Sequence, residues 1–254
     1  MTAWLAAMES GELMIPSDVH DREAWNGYWH KQIAMGPIEQ GFNDAMSSDP
    51  TLVALLHRRG ARKILCAGIG LSSESLALAL HGFDVTSLDI SDVPGLAFHA
   101  GIGDPAHPFS RLPIQTVKDD GTVIFLADQV IDPDLCPRIH GSEEYPSRGG
   151  GSLSHSTGDL VDPEVCPGPY DVLIERRTVQ LFPEAEHEAA LNGLAARLGP
   201  RALFISHQHL GSWRPGQPRR HFASDWLEAS DFTPEGASEV GDTARVARLQ
   251  FSTG

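Results

Sequence analysis

Gly68 and Gly70 stand two residues apart directly after the apolar run Lys63-Ile64-Leu65-Cys66-Ala67, and Asp89 follows nineteen residues after Gly70. Glycines where a strand turns into a helix let backbone approach a ligand closely and expose the helix N-terminus to it. A carboxylate at the end of the adjacent strand can accept hydrogen bonds from both hydroxyls of a ribose. The three residues together are therefore the pattern of a nucleoside-binding α/β unit. Taken singly they are less informative, because Gly68 and Gly70 also suit an ordinary turn and Asp89 also suits a solvated strand end. A dinucleotide-binding turn wants a third glycine at the position of Ser73, where the serine disfavours that close helix-to-sheet packing.

These residues need a parallel sheet to hold them, and the chain has the segments to build one. The run at 63–67 is too short for a helix and reads as a buried strand; a helix over roughly 73–80 closes at Gly82, and Val85-Thr86-Ser87-Leu88-Asp89 is the next strand. Further on, Tyr170-Asp171-Val172-Leu173-Ile174-Glu175 and Ala202-Leu203-Phe204-Ile205-Ser206 are strand candidates on either side of a helix over 184–198 that Gly199-Pro200 stops. Residues 224–229 suggest a short helix and 245–251 alternate like a final edge strand. Upstream, residues 1–60 read as helical, with Trp4, Leu5 and Met8 on one face, a helix from Asp21 through Trp25 and Trp29, and another opened by Asp49-Pro50. Alternating strands and helices predict one doubly wound, mostly parallel α/β domain spanning 1–254, with helices on both faces.

The regular alternation lapses between Ser91 and Gly158, which is rich in Pro and Gly and shows little helical periodicity. Residues 93–151 are expected to be an insertion that contributes little to the central sheet and lies near the ligand edge. Within it Asp119-Asp120-Gly121 separates two β-rich stretches and predicts a hairpin over 114–126. The alternative places 123–127 as a central strand.

Composition narrows the surroundings. At 254 residues and 41% hydrophobic, the chain can bury one substantial core. No run approaches the roughly 18 apolar residues of a membrane span. Cys66, Cys136 and Cys166 form neither a closed disulfide set nor a C-x-x-C metal pair. A soluble cytoplasmic protein is expected, with no metal and no membrane partner. A formal charge of −15 would repel a phosphate backbone, which argues against a nucleic-acid partner and for a small-molecule substrate. The oligomeric state is left open.

The segments Ile64-Leu65-Cys66-Ala67-Gly68-Ile69-Gly70 and Val85-Thr86-Ser87-Leu88-Asp89-Ile90-Ser91 resemble the first two motifs of class I S-adenosylmethionine-dependent methyltransferases. Gly158-Asp159-Leu160 resembles the third, residues 170–175 the fourth strand, and Leu198-Gly199-Pro200-Arg201-Ala202-Leu203 the turn into the fifth. The likeness spans about 20–91 and 158–254. It implies a seven-stranded Rossmann-like sheet and S-adenosylmethionine as cofactor, contacted by Gly68, Gly70, Asp89 and Ile90, with Asp159 and Leu160 flanking the adenine. Two departures stand out: Cys66 or Ala67 replaces the usual acid ending the first strand, and Ser152-Leu153-Ser154-His155-Ser156 is a poor strand ahead of the third motif. Asp128, after the more strand-like 123–127, is a rival for the role of Asp159.

Within that superfamily, Ala24-Trp25-Asn26-Gly27-Tyr28-Trp29 is similar to the N-terminal W-x-x-x-W element of thiopurine and halide/thiol methyltransferases. That likeness makes 1–60 a helical lid, with Trp25 and Trp29 on the cofactor; the same i, i+4 pair equally suits plain core packing. Glu175-Arg176-Arg177 resembles the acid-arginine step after the fourth strand in that group, which implies Glu175 at the cofactor and Arg176 at the reaction centre. His207 and His209, beyond the fifth strand, are candidate bases if the acceptor must lose a proton, since an unperturbed histidine titrates near pH ~6.5. Arg214, Arg219 and Arg220, beside Trp213, could steer an anionic acceptor or simply form a solvated loop. Nothing resembles the Asn-Pro-Pro-Tyr element of amino-group methyltransferases, so oxygen, sulfur or ring nitrogen is the favoured acceptor atom. The competing readings are a methyltransferase-like binding or regulatory protein without turnover, and a nicotinamide-dependent oxidoreductase.

Overall fold

The computed structural model describes residues 14–35, 50–68, 70–129, 149–176, 178–209, 232–240 and 246–253. Its helices are α1 (Arg22–Met35), α2 (Pro50–Arg58), α3 (Glu74–Leu80), α4 (Val93–Gly103) and α5 (His187–Ala195). Its strands are β1 (Lys63–Ala67), β2 (Asp84–Asp89), β3 (Ile114–Val117), β4 (Val123–Phe125), β5 (Ser152–Thr157), β6 (Tyr170–Arg176), β7 (Leu198–His209), β8 (Phe232–Val240) and β9 (Val246–Thr253). All nine lie in one sheet, in the order β3-β4-β5-β2-β1-β6-β7-β9-β8. The five strands from β5 to β7 run parallel, so Ala67, Asp89, Thr157, Arg176 and His207 all approach the same edge.

Side-chain alternation along the central strands makes the sheet doubly wound. Ile64, Cys66, Val172, Ile174, Leu203 and Ile205 face a core shared with Leu52 and Leu56 of α2 and Leu76 and Leu80 of α3. Leu65, Ala67, Leu173 and Phe204 face a second core shared with Ala190, Leu191 and Leu194 of α5. Ile64 to Ala67 are 0% exposed on both faces, which explains an unbroken apolar run where a half-buried strand would alternate.

Seven strands, from β5 to β8, form the expected sheet, and the β3-β4 hairpin adds two more at its side. The hairpin at 114–126 forms as expected, but it is more closely joined to the sheet than an appendage: β4 pairs antiparallel with β5, and Val123 and Phe125 are buried in the first core. Its two buried apolar positions are what fix it there.

Three further elements differ from the sequence reading. Residues 93–103 form α4: Pro94 falls in the first turn, where its missing N–H is not needed, and the two glycines let the helix pack closely, since a Cβ on Gly95 would come to 3.0 Å from His155 and one on Gly101 to 2.8 Å from Phe109. β5 forms from Ser-Leu-Ser-His-Ser-Thr because its polar side chains find polar partners across the ladder: Ser152 Oγ donates to Asp84 Oδ1 at 2.9 Å, and Ser154 Oγ to Thr86 Oγ1 at 3.2 Å. β9 is not the edge strand; it runs antiparallel between β7 and β8, which holds the edge. Trp4, Leu5, Met8, the helix expected at 224–229 and the loop of Trp213, Arg214, Arg219 and Arg220 lie outside the described residues. Among the described residues no helix is long and apolar enough to cross a membrane.

Candidate functional site

The carboxyl edge of the sheet brings the sequence-predicted residues together around the turn between β1 and α3. Gly68 and Gly70 both adopt left-handed backbone, at φ 64° and 56°, which a residue with a Cβ enters only at a cost of roughly 1–2 kcal/mol. Asp89 closes the turn from β2: the Gly70 amide donates to its Oδ2 at 2.9 Å and the Ser91 amide to its Oδ1 at 3.0 Å. Only 8% exposed, the carboxyl is pushed up to about 6 by burial, against the opposing pull of the Ser91, Gly70 and Ile90 amides.

Both glycines are also roofed by side chains. A Cβ on Gly68 would overlap Thr178, whose hydroxyl donates to the Gly68 carbonyl at 2.9 Å; a Cβ on Gly70 would overlap the six-membered ring of Trp29. Trp29 comes from α1, which lies across the strand ends. Trp25 and Tyr28 are buried there, with Trp29, Ile90 and Leu181 packed against them, and the two indoles stack with centroids 6.1 Å apart. The indole N–H groups of both tryptophans are buried and have no hydrogen-bond acceptor among the described residues. Such a donor costs about 1–3 kcal/mol until an acceptor reaches it.

Two polar contacts pin α1 and its lead-in to the edge, and sequence reasoning named neither. Ser91 Oγ donates to Asn26 Oδ1 at 2.6 Å. His20 bridges two carboxylates, with Nδ1 2.5 Å from Asp159 Oδ2 and Nε2 2.8 Å from Glu186 Oε2. The hydrogen bond to Glu186 and the charge and hydrogen bond of Asp159 raise the imidazole above its ordinary value, against a partial loss to burial. His20 is 139 residues from Asp159 along the chain, so no local pattern announces the pair.

Asp159 follows β5 and Leu160 is buried behind it. Asp128 lies elsewhere, past the hairpin strand β4 on the outer side of β5, so of the two rivals it is Asp159 that shares an edge with Asp89.

Glu175 is 0% exposed and its carboxylate is used inside the protein. Ser206 Oγ on β7 donates to Oε1, while the amides of Thr178 and Val179 donate to Oε2 at 3.0 and 3.3 Å. Glu175 therefore shapes the loop that carries Thr178 over Gly68. Arg176 and His207 are neighbours in the β6-β7 register, and His207 and His209 lie within β7, which runs on past the expected strand end. The side chains of these three lie outside the described residues. Cys66, at the end of β1, is fully buried with its thiol pushed up by burial and by Glu74, which removes it as a nucleophile.

No protein-family model and no curated protein sequence matches the chain. Solved structures do. Magnesium protoporphyrin IX methyltransferase of Synechocystis PCC 6803, solved with bound SAH, superposes over 92% of this chain and 98% of its own at TM-score 0.57 and 17% identity. The 1,6-didemethyltoxoflavin N1-methyltransferase of Burkholderia thailandensis, solved with its substrate and S-adenosylhomocysteine, superposes over 94% and 92% at TM-score 0.54 and 13% identity. At such identities the likeness is one of fold, and it defines the class: a doubly wound, methyltransferase-type α/β sheet.

Proposed function

We propose that the chain is a soluble, cytoplasmic S-adenosylmethionine-dependent methyltransferase acting on a small molecule through oxygen, sulfur or a ring nitrogen. The observation that carries this reading is the Gly70–Asp89 hydrogen bond at the carboxyl edge of the sheet, beneath a helix that presents two buried indole N–H donors without acceptors. Together these groups form a glycine turn that a ligand can approach once its covering side chains shift, a carboxylate for hydroxyls, and donors for an anionic group.

In this reading Asp89 and Ile90 hold the ribose and one side of the base, and Asp159 and Leu160 the other. Gly68 and Gly70 admit the amino-acid part, and Trp25 and Trp29 wall the sulfonium. S-adenosylmethionine supplies an activated methyl carbon to an in-line nucleophile, so positioning and water exclusion can provide much of the rate. The chain's contribution is mainly cover. Trp29 occupies the space over Gly70, so a ligand reaches that glycine only after the ring shifts, and α1 must move with the binding event. Arg176, His207 and His209 sit on adjoining strand ends from which a base or an anion-binding group would face the acceptor. The W-x-x-x-W helix and the glutamate-arginine step are what support a kinship with the thiopurine and halide/thiol group.

The test is methyl transfer from labelled S-adenosylmethionine to separate pools of small thiols, phenols and nitrogen heterocycles. Label in one pool with stoichiometric S-adenosylhomocysteine supports the reading. Tight binding of S-adenosylhomocysteine with no transfer to any pool would instead favour a binding protein built on the same fold.

A further inference from the structure

Just beyond α5 lies Arg197, a residue whose burial the cleft does not explain. It is 0% exposed, and among the described residues no ion pair involves it. Its guanidinium spends its donors on backbone instead: Nε donates to Val165 O at 2.9 Å, Nη1 to Leu160 O at 2.8 Å and to Gly193 O at 2.5 Å, and Nη2 to Asp162 O. Three of those four acceptors belong to the loop that leaves Asp159; the fourth is on α5. A planar fork of fixed donors is suited to gathering several carbonyls into one arrangement.

A buried cation costs several kcal/mol to desolvate, and here that cost is offset by charge-assisted hydrogen bonds to four backbone carbonyls. What those bonds fix is the backbone of the loop and its distance from α5. The opposite side of the contact is equally tight: a Cβ on Gly193 would stand 2.7 Å from Leu160 O and 2.9 Å from Val161 Cα, so helix and loop meet backbone to backbone. Asp159 is fixed by the same loop, since its Oδ1 accepts the Val161 amide at 3.0 Å.

We propose that Arg197 is a positioning residue for base recognition, stapling the 160–165 loop to α5 so that Asp159 and Leu160 are held where they flank the adenine. The proposal rests on the methyltransferase reading of the cleft. Its chemistry is selectivity for an exocyclic amine, which the Asp159 carboxylate accepts from, over a base that carries a carbonyl there.

The experiment compares the full-length wild type with Arg197→Met, Arg197→Lys and Gly193→Ala. Two quantities are read: amide exchange of residues 161–165 without ligand, and the ratio of dissociation constants for S-inosylhomocysteine and S-adenosylhomocysteine. Gly193→Ala reaches the loop by a second route, because alanine favours the helix itself while its methyl meets the backbone of Leu160 and Val161 and displaces the loop; wild-type amide exchange in β1 and β6 shows that the sheet stays folded in each variant. The wild type is expected to prefer the adenine ligand about tenfold, the worth of one net hydrogen bond. In Gly193→Ala and Arg197→Met, exchange quickens and the preference falls to about twofold or less, with Arg197→Lys in between. A preference in Gly193→Ala equal to that of the wild type, or loop exchange at wild-type rates, overturns the proposal and leaves the cleft reading standing. A wild type that binds neither nucleoside overturns both.

Discussion

Two acidic residues stand at or next to the carboxyl ends of the strands that flank β1, and the fold uses them in opposite ways. Asp89 ends β2 and accepts backbone amides from its own turn and from Gly70, under the aromatic cover of α1. Glu175, one residue short of the end of β6, reaches into the sheet and binds Ser206 of β7 and the amides of Thr178 and Val179. One carboxylate borders the proposed cofactor cleft; the other lies inside the sheet beside it. Acidic type and near-end position were the same in both cases, so only the partners separate the two.

Replacing each acid should therefore produce opposite phenotypes. Glu175→Ala removes the acceptor of two buried donors, Ser206 Oγ and the Val179 amide, and of the part-buried Thr178 amide; at about 1–3 kcal/mol for each buried donor, the expected loss is at least about 2 kcal/mol of unfolding free energy. Urea denaturation measures it, and ligand binding weakens only as a consequence of the displaced Thr178 loop. Asp89→Asn keeps the size of the side chain but only one of the two acceptor oxygens, so one buried amide loses its partner and the unfolding free energy should fall by on the order of 1 kcal/mol, less than in Glu175→Ala. Its dissociation constant for S-adenosylhomocysteine should rise by about ten- to a hundredfold, equivalent to roughly 1–3 kcal/mol of charge-assisted hydrogen bonding. If Glu175→Ala is as stable as wild type, or Asp89→Asn binds as tightly, the contrast between the two acids collapses.

The pH dependence sharpens the same contrast. Burial raises Asp89 from 3.8 to about 6, so the native chain takes up this proton before the unfolded chain does. Its contribution to stability is full below 3.8 and is lost as pH rises through about 6. A ligand that needs the carboxylate has the reverse preference. Binding should weaken as pH falls below 6, by up to about tenfold per unit, with proton release detectable in buffers of different ionisation heat. An affinity that is flat down to pH 5 would mean that Asp89 does not meet the ligand.

The smallest expected effect concerns His20. Its raised value means the bridge to Glu186 and Asp159 is fully charged at acidic pH and is lost as pH rises through the raised value. The groups are partly exposed, at 38% for His20, 27% for Asp159 and 41% for Glu186, so the stabilisation is under about 1 kcal/mol. His20→Gln should quicken amide exchange in α1 at pH 6 and leave it unaltered at pH 9. Equal exchange at both would show that the bridge does not hold the helix.

What was legible in the chain was what is local. The strand, glycine turn, helix and second strand over 63–89 were readable because an apolar run bracketed by Gly and Ser has few other conformations. Asp89 was readable because its distance from Gly70 is set by one helix and two strands. β5 was hidden because its polar residues are satisfied by β2, a partner 68 residues away, rather than by any alternation of its own. α4 was hidden because its glycines, which signal a loop, answer to the close approach of His155 and Phe109 instead, and its proline sits in the first turn. His20, Thr178 and Arg197 escaped notice for the same reason: each acts through a contact more than thirty residues away along the chain. The fate of Glu175 was the reverse case, a correct strand end whose side chain points to a partner that only the β6-β7 pairing supplies.

The central claim is that the Gly68–Gly70–Asp89 edge binds the nucleoside of S-adenosylmethionine beneath Trp29, and calorimetric titration of the full chain with S-adenosylhomocysteine at pH 7.5 tests it most directly. The account predicts saturable binding at one site per chain, a parallel change in tryptophan fluorescence as the ring leaves Gly70, and no heat with NAD. No heat at millimolar S-adenosylhomocysteine, or binding of NAD in its place, would contradict it.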